Sequence, residues 1–134
     1  MKKRLILIID DDPADAELTR IALLQELGDC SWHRVSDGVE ALAYLLSKQN
    51  PFPDLIILDL NLPRIDGLEV LNQLKKEWGP ALRDLKVVVL SSSYEPKDRN
   101  AARELGVRLY LQKPIGSDDT KRVVGEIARF LDGH

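Results

Sequence analysis

Five short apolar runs alternate strictly with five longer amphipathic ones, and this alternation restricts the fold more than any other feature of the chain. The short runs are Leu5–Ile9, Ser31–Val35, Leu55–Leu58, 85–90 and Leu109–Gln112. Between and after them, apolar residues recur at helical spacing, which predicts helices over Pro13–Leu27, 38–47, Gly67–Trp78, 96–105 and 119–131. The inward residues expected are Leu18, Ile21, Ala22 and Leu24 on the first, Leu42, Leu45 and Leu46 on the second, and Leu68, Leu71, Leu74 and Trp78 on the third. The last helix should bury Val123, Val124, Ile127, Ala128 and Leu131. Gly28, Gly79-Pro80 and Gly106 stop three of the helices, and Asn50-Pro51-Phe52-Pro53 is a loop because a residue before proline is pushed out of helical geometry.

Strict alternation predicts an α/β fold, a parallel sheet with helices on both faces and right-handed crossovers. Runs one, three and four are almost wholly apolar, as strands buried on both faces must be, so they should be central. Runs two and five are mixed, Trp32 and His33 standing among polar neighbours, so they should be edges. The strand order that results is 2-1-3-4-5, the flavodoxin-like doubly wound (βα)5 sandwich. Its switch point falls between strands one and three. Ligands of open α/β sheets bind there, outside the carboxyl ends of the strands.

Those two strands end in acids: Asp10-Asp11 after the first, and Asp59 after the third, where Asn61 and Pro63 turn the chain away. Two carboxylates about 5 Å apart at an effective dielectric near 20 repel by roughly 3 kcal/mol, so three need a cation among them. A hard divalent ion with oxygen ligands, magnesium best of all, answers that need. Asp12 precedes Pro13 and has Asp15 in the turn behind it, so it reads as a helix N-cap rather than a ligand. The ordinary alternative is that aspartates at strand ends serve turn chemistry alone. Strand four brings Ser91 to the same edge and strand five brings Lys113-Pro114, a hydroxyl and an ammonium suited to phosphate oxygens. Taken singly, Ser91 reads as a turn serine and Lys113 as a salt bridge to one of the acids. Acid, acid, hydroxyl and amine on four strand ends point together to phosphoryl chemistry.

Composition bounds the rest. At 134 residues, 44% hydrophobic and 31% charged, the chain fits one domain. A net charge of −3 with dispersed Lys and Arg gives no footprint for nucleic acid. Cys30 is alone, which rules out an internal disulfide and suits a reducing compartment such as the cytoplasm. The basic start, Met1-Lys2-Lys3-Arg4, leads into an apolar run cut short by Asp10-Asp11-Asp12, too brief for a signal peptide, and no run approaches the roughly 20 residues that span a membrane.

The ordered set Asp10-Asp11, Asp59 with Pro63 and Gly67, Ser91, and Lys113-Pro114 resembles the receiver domain of two-component response regulators across essentially the whole chain. The resemblance implies a phosphoacceptor at Asp59, charged by the phosphohistidine of a sensor histidine kinase. It implies Mg²⁺, with Mn²⁺ as a substitute, held directly by Asp11 and Asp59, through water by Asp10, and by the main-chain carbonyl of Asn61. Lys113 matches the phosphate-binding lysine and Ser91 the switch hydroxyl, more often threonine. Tyr110 matches an aromatic that swings inward with it, against the plainer reading of a half-exposed edge-strand tyrosine. Asn61 and Ser93 match positions that set the lifetime of the acyl phosphate, and Lys113-Pro114 resembles a cis peptide of the family. Ser92 departs from the small apolar residue usual there.

No output domain is expected after the last helix, so residues 1–134 read as a single receiver that acts by binding a downstream protein or phosphotransfer domain. The segments around Asp59 and Ser91 are similar to single-domain receivers that partner bacterial phytochromes, and such receivers dimerise through helix four, strand five and helix five. Leu109, Tyr110, Val123, Ile127 and Phe130 could supply that face, unless they pack the core. Two rivals weaken on particular residues. A haloacid-dehalogenase-type phosphatase needs a second acid where Asn61 stands. An FMN carrier needs a hydroxyl- or glycine-rich loop where the first strand ends in acids.

Overall fold

A computed structural model of the chain describes residues 3–92 and 95–133, the side chain of Arg83 apart. The elements are β1 (Leu5–Ile9), α1 (Pro13–Leu27), β2 (Ser31–Val35), α2 (Gly38–Leu46), β3 (Leu55–Leu58), α3 (Gly67–Trp78), β4 (Val87–Ser91), α4 (Pro96–Glu104), β5 (Leu109–Gln112) and α5 (Gly116–Leu131). A 3-10 helix over Gly79–Asp84 extends the end of α3, where only a stop was expected. All strand pairs are parallel and the order is β2-β1-β3-β4-β5, as the apolar runs predicted.

Side chains alternate across the sheet. Leu7, Ile9, Ile56, Leu58, Val87 and Val89 pack on one face beneath α2, α3 and α4. Ile6, Ile8, Leu55, Ile57, Val88 and Leu90 pack on the other beneath α1 and α5. Asp37 caps α2 and Asp66 caps α3, each accepting a backbone N–H three residues on. Among the described residues no helix is long and apolar enough to cross a membrane.

Several residues sit elsewhere than the periodicity predicted. On α1 the buried residues are Ala16 and Leu23, while Leu18, Ile21 and Leu24 are exposed; α5 shares that face of the sheet, placing Val123, Val124 and Ile127 in the same cluster. Leu46 is likewise exposed. α5 begins three residues earlier than its apolar stripe, because its polar first turn belongs to the helix and Asp119 accepts a hydrogen bond from Ile115 N. β4 starts at Val87 and ends at Ser91, so Ser91 is a strand residue and not a turn residue. Val123 and Ile127 are core residues, unavailable to a dimer face, whereas Leu109, Tyr110 and Phe130 are partly buried against the core. No described peptide bond is cis, so Lys113-Pro114 is trans, the form favoured by about 0.5–1 kcal/mol for an X–Pro bond.

Candidate phosphoacceptor site

The sheet ladder sets the site. Ile9 is in register with Leu58, and the parallel hydrogen bonding continues one residue further, Asp59 N donating to Ile9 O at 3.0 Å and Asp10 N to Val35 O at 3.1 Å. Asp10 and Asp59 therefore stand side by side at the carboxyl edge. Both are buried despite their charge, as is Ser91. One carboxylate oxygen each from Asp10, Asp11 and Asp59 lies within 4.8 Å of the others, with Asp11 exposed at the rim.

The loop after β3 is pulled tight beneath Asp59. Gly67 N donates to Leu60 O at 2.9 Å, and a Cβ on Gly67 would lie 2.6 Å from Leu60 Cα and 2.7 Å from Asp59 O. Only glycine allows α3 to start that close. Gly38 plays the same part under the next stretch, where a Cβ would meet Ile65 O at 2.0 Å. Arg64, in the same loop, has a positive φ of 69° and its guanidinium meets Asp37 at 3.3 Å.

Asp10 and Asp59 are bonded alike. Asp10 Oδ1 accepts from Asp12 N at 2.9 Å and Asp59 Oδ1 accepts from Asn61 N at 3.0 Å, while the second oxygen of each faces Lys113 Nζ, at 3.2 and 2.9 Å. A third acid, Asp15, meets the same Nζ at 2.9 Å. Burial raises the pKa of Asp10, an effect that the N–H of Asp12 and the charge of Lys113 only partly offset. Burial disfavours the charged form of Lys113 too, but the hydrogen bonds to Asp15 and Asp59 and the charges of Asp59 and Asp10 outweigh it, so its pKa is raised and it stays a cation.

Every sequence-predicted site residue within the described residues reaches this edge except Tyr110, which packs with the core on the α2–α4 face. Lys113 N donates to Ser91 O at 2.8 Å, joining the ends of β4 and β5. Asn61 Nδ2 donates to Ser92 Oγ at 3.4 Å across the two loops; Ser93 lies outside the described residues. Asp12 is the N-cap expected, its side chain accepting from Ala14 N and Asp15 N. Two contributors were missed. Asp15 had been legible only as a first-turn acid, and Arg34, which donates to Asp10 O at 2.8 Å, is an exposed residue of the edge strand with no signal in the sequence. Beside Lys113 and Asp15 a groove of about 620 Å³ runs between α1 and α5, lined in part by Leu18 and Ile21.

The donor set suits a hard cation: three carboxylates, all oxygen, with an ammonium now supplying the positive charge. Comparison with known proteins agrees. Residues 6–124 match the model of the response regulator receiver domain. The chain is 37% identical over 131 residues to response regulator Rcp1 of Synechocystis sp., covering 95% of this chain and 88% of that one. Its structure is similar to that of the phosphorylated cyanobacterial phytochrome response regulator RcpA, with a TM-score of 0.85, 34% identity and coverage of 98% and 96%. It is also similar to the Mn²⁺-bound form of Rcp1, with a TM-score of 0.83, 36% identity and the same coverage. With the five-stranded order, the acid edge and these matches in hand, the chain belongs to the response regulator receiver domains, the phosphoryl-accepting modules of two-component signalling.

Proposed function

We propose that Asp59 is the phosphoacceptor, that a sensor histidine kinase of the phytochrome type is the donor, and that Asp10, Asp11, Asp59 and the Asn61 carbonyl hold magnesium or manganese. The observation that carries this is the meeting of Asp10, Asp59 and Lys113 at the buried carboxyl edge, with Asp11 at its rim. A bound divalent ion supplies charge neutralisation for the phosphoryl oxygens. The phytochrome assignment draws on the similarity to RcpA.

The chain's own residues do the rest. Asn61 N–H fixes one oxygen of Asp59, leaving the other to form the bond to phosphorus as the phosphorus–nitrogen bond of phosphohistidine breaks and the imidazole keeps the electron pair. Lys113, already bonded to that second oxygen, donates to a phosphoryl oxygen instead. Ser91 reports the modification by turning its hydroxyl to the phosphoryl group. The end of β4 then shifts, and Tyr110, which pairs with Val89 in the ladder, repacks with it. The phosphorylated receiver acts on a downstream protein or phosphotransfer domain. Asn61, unlike an aspartate at that position, cannot protonate a leaving group, which counts against a phosphatase.

Acetyl phosphate with Mg²⁺ tests the reading: the intact mass should rise by one phosphoryl group, and Asp59→Asn should abolish the gain. An equal gain in that variant would contradict it.

A further inference from the structure

Lys113 is held by three carboxylates, and Asp15 differs from the other two. Asp10 and Asp59 belong to the acid cluster with Asp11, are almost fully buried, and each has an oxygen fixed by a backbone N–H. Asp15 lies on α1, outside that cluster, with its side chain 42% exposed, yet its Oδ2 is 2.9 Å from Lys113 Nζ, as near as Asp59. An ammonium has three N–H donors. Lys113 gives one to Asp15 and one to Asp59, and Asp10 lies 3.2 Å away as an ion-pair partner.

We propose that Asp15 is a positioning residue that restrains Lys113, competing with the phosphoryl group for the lysine's donors and charge and so setting how readily this receiver is phosphorylated. This rests on Asp59 being the phosphoacceptor. Two consequences of the geometry act in the same direction. A phosphoryl group on Asp59 must draw Lys113 Nζ toward its own oxygens while Asp15 still holds it. It also brings negative charge close to Asp15, since both would lie against the same Nζ. Replacing Asp15 with asparagine keeps the size and a weaker acceptor but removes the charge. The alternative is structural: Asp15 sits in the first turn of α1, where any acid gains from the helix N-terminus.

The experiment is phosphorylation of the full chain by acetyl phosphate with Mg²⁺, followed by intact mass, in wild type, Asp15→Asn, Asp15→Glu, Lys113→Ala and the Asp15→Asn/Lys113→Ala double variant. Beryllofluoride affinity, read by Trp fluorescence or calorimetry, measures the same competition at equilibrium. The proposal predicts that Asp15→Asn raises the rate and tightens beryllofluoride roughly two- to fivefold, the scale of one partly exposed ion pair. Asp15→Glu, which keeps the charge, should stay near wild type. In the Lys113→Ala background Asp15→Asn should change the rate much less, because the restraint on the lysine is gone and only the direct repulsion between Asp15 and the phosphoryl group remains. An unchanged or slower Asp15→Asn, or the same acceleration with and without Lys113, overturns the proposal. If wild type takes up no phosphoryl group at all, the phosphoacceptor reading fails first and this one with it.

Discussion

Each central strand of this molecule is two regions joined end to end. Through their length β1, β3 and β4 bury apolar side chains on both faces; at their carboxyl ends the same burial is imposed on Asp10, Asp59 and Ser91. Below, burial is the stabilising term. At the edge it works against the fold, and it is tolerated because the ladder holds Asp10 and Asp59 side by side, backbone N–H groups take one oxygen of each, and Lys113 faces the others. The difference teaches where stability ends and function begins. The core fixes positions, and the edge uses those positions to hold carboxylates and an ammonium close together.

Substitutions should separate the two regions. The largest effect is on chemistry: Asp59→Asn should abolish phosphoryl uptake while thermal unfolding shows an intact fold. One level down, Ile57→Ala removes a buried side chain from the α1–α5 face and should cost about 2–5 kcal/mol in urea unfolding, with Mg²⁺ affinity of the folded fraction unchanged. A large loss of metal affinity in that variant would mean the two regions are not separable. Mg²⁺ itself should stabilise the wild type, by about 2.7 kcal/mol at a hundred times its dissociation constant, and chelation should reverse the gain.

The smallest effect is the most diagnostic of the edge. Burial raises the folded-state pKa of Asp10 above its unfolded value, so the metal-free fold binds that proton more tightly than the unfolded chain does. The stability this provides is present at low pH and is lost as pH rises through the folded pKa. Asp10→Asn, which cannot ionise, should therefore melt slightly higher than wild type in chelator at neutral pH, and should gain little from Mg²⁺. A lower melting point in chelator would show that the Asp10–Lys113 pair stabilises the fold more than burial of the charge costs it.

Much of this was legible in the residues. The apolar continuity of Leu5–Ile9 and Leu55–Leu58 against the mixed Ser31–Val35 decided the strand order, and the acids at strand ends located the site. α5 was legible for the same reason, since its stripe from Val123 to Ala128 is unbroken. α1 was not: its leucines and isoleucine recur at several angles, and which of them faces the sheet depends on the space that α5 leaves, a tertiary fact. Asp15 and Arg34 were illegible for a related reason. Each acts through one long-range contact, to Lys113 and to the Asp10 carbonyl, and no local pattern records such a contact.

The central claim is that Asp59 alone, of the three clustered acids, receives the phosphoryl group. Borohydride reduction of an acyl phosphate converts the modified aspartate to homoserine and marks its place in the chain. After acetyl phosphate and Mg²⁺, peptide mapping should find homoserine at position 59, and none without Mg²⁺. Homoserine at 10 or 11, or an equal yield in chelator, would contradict the account.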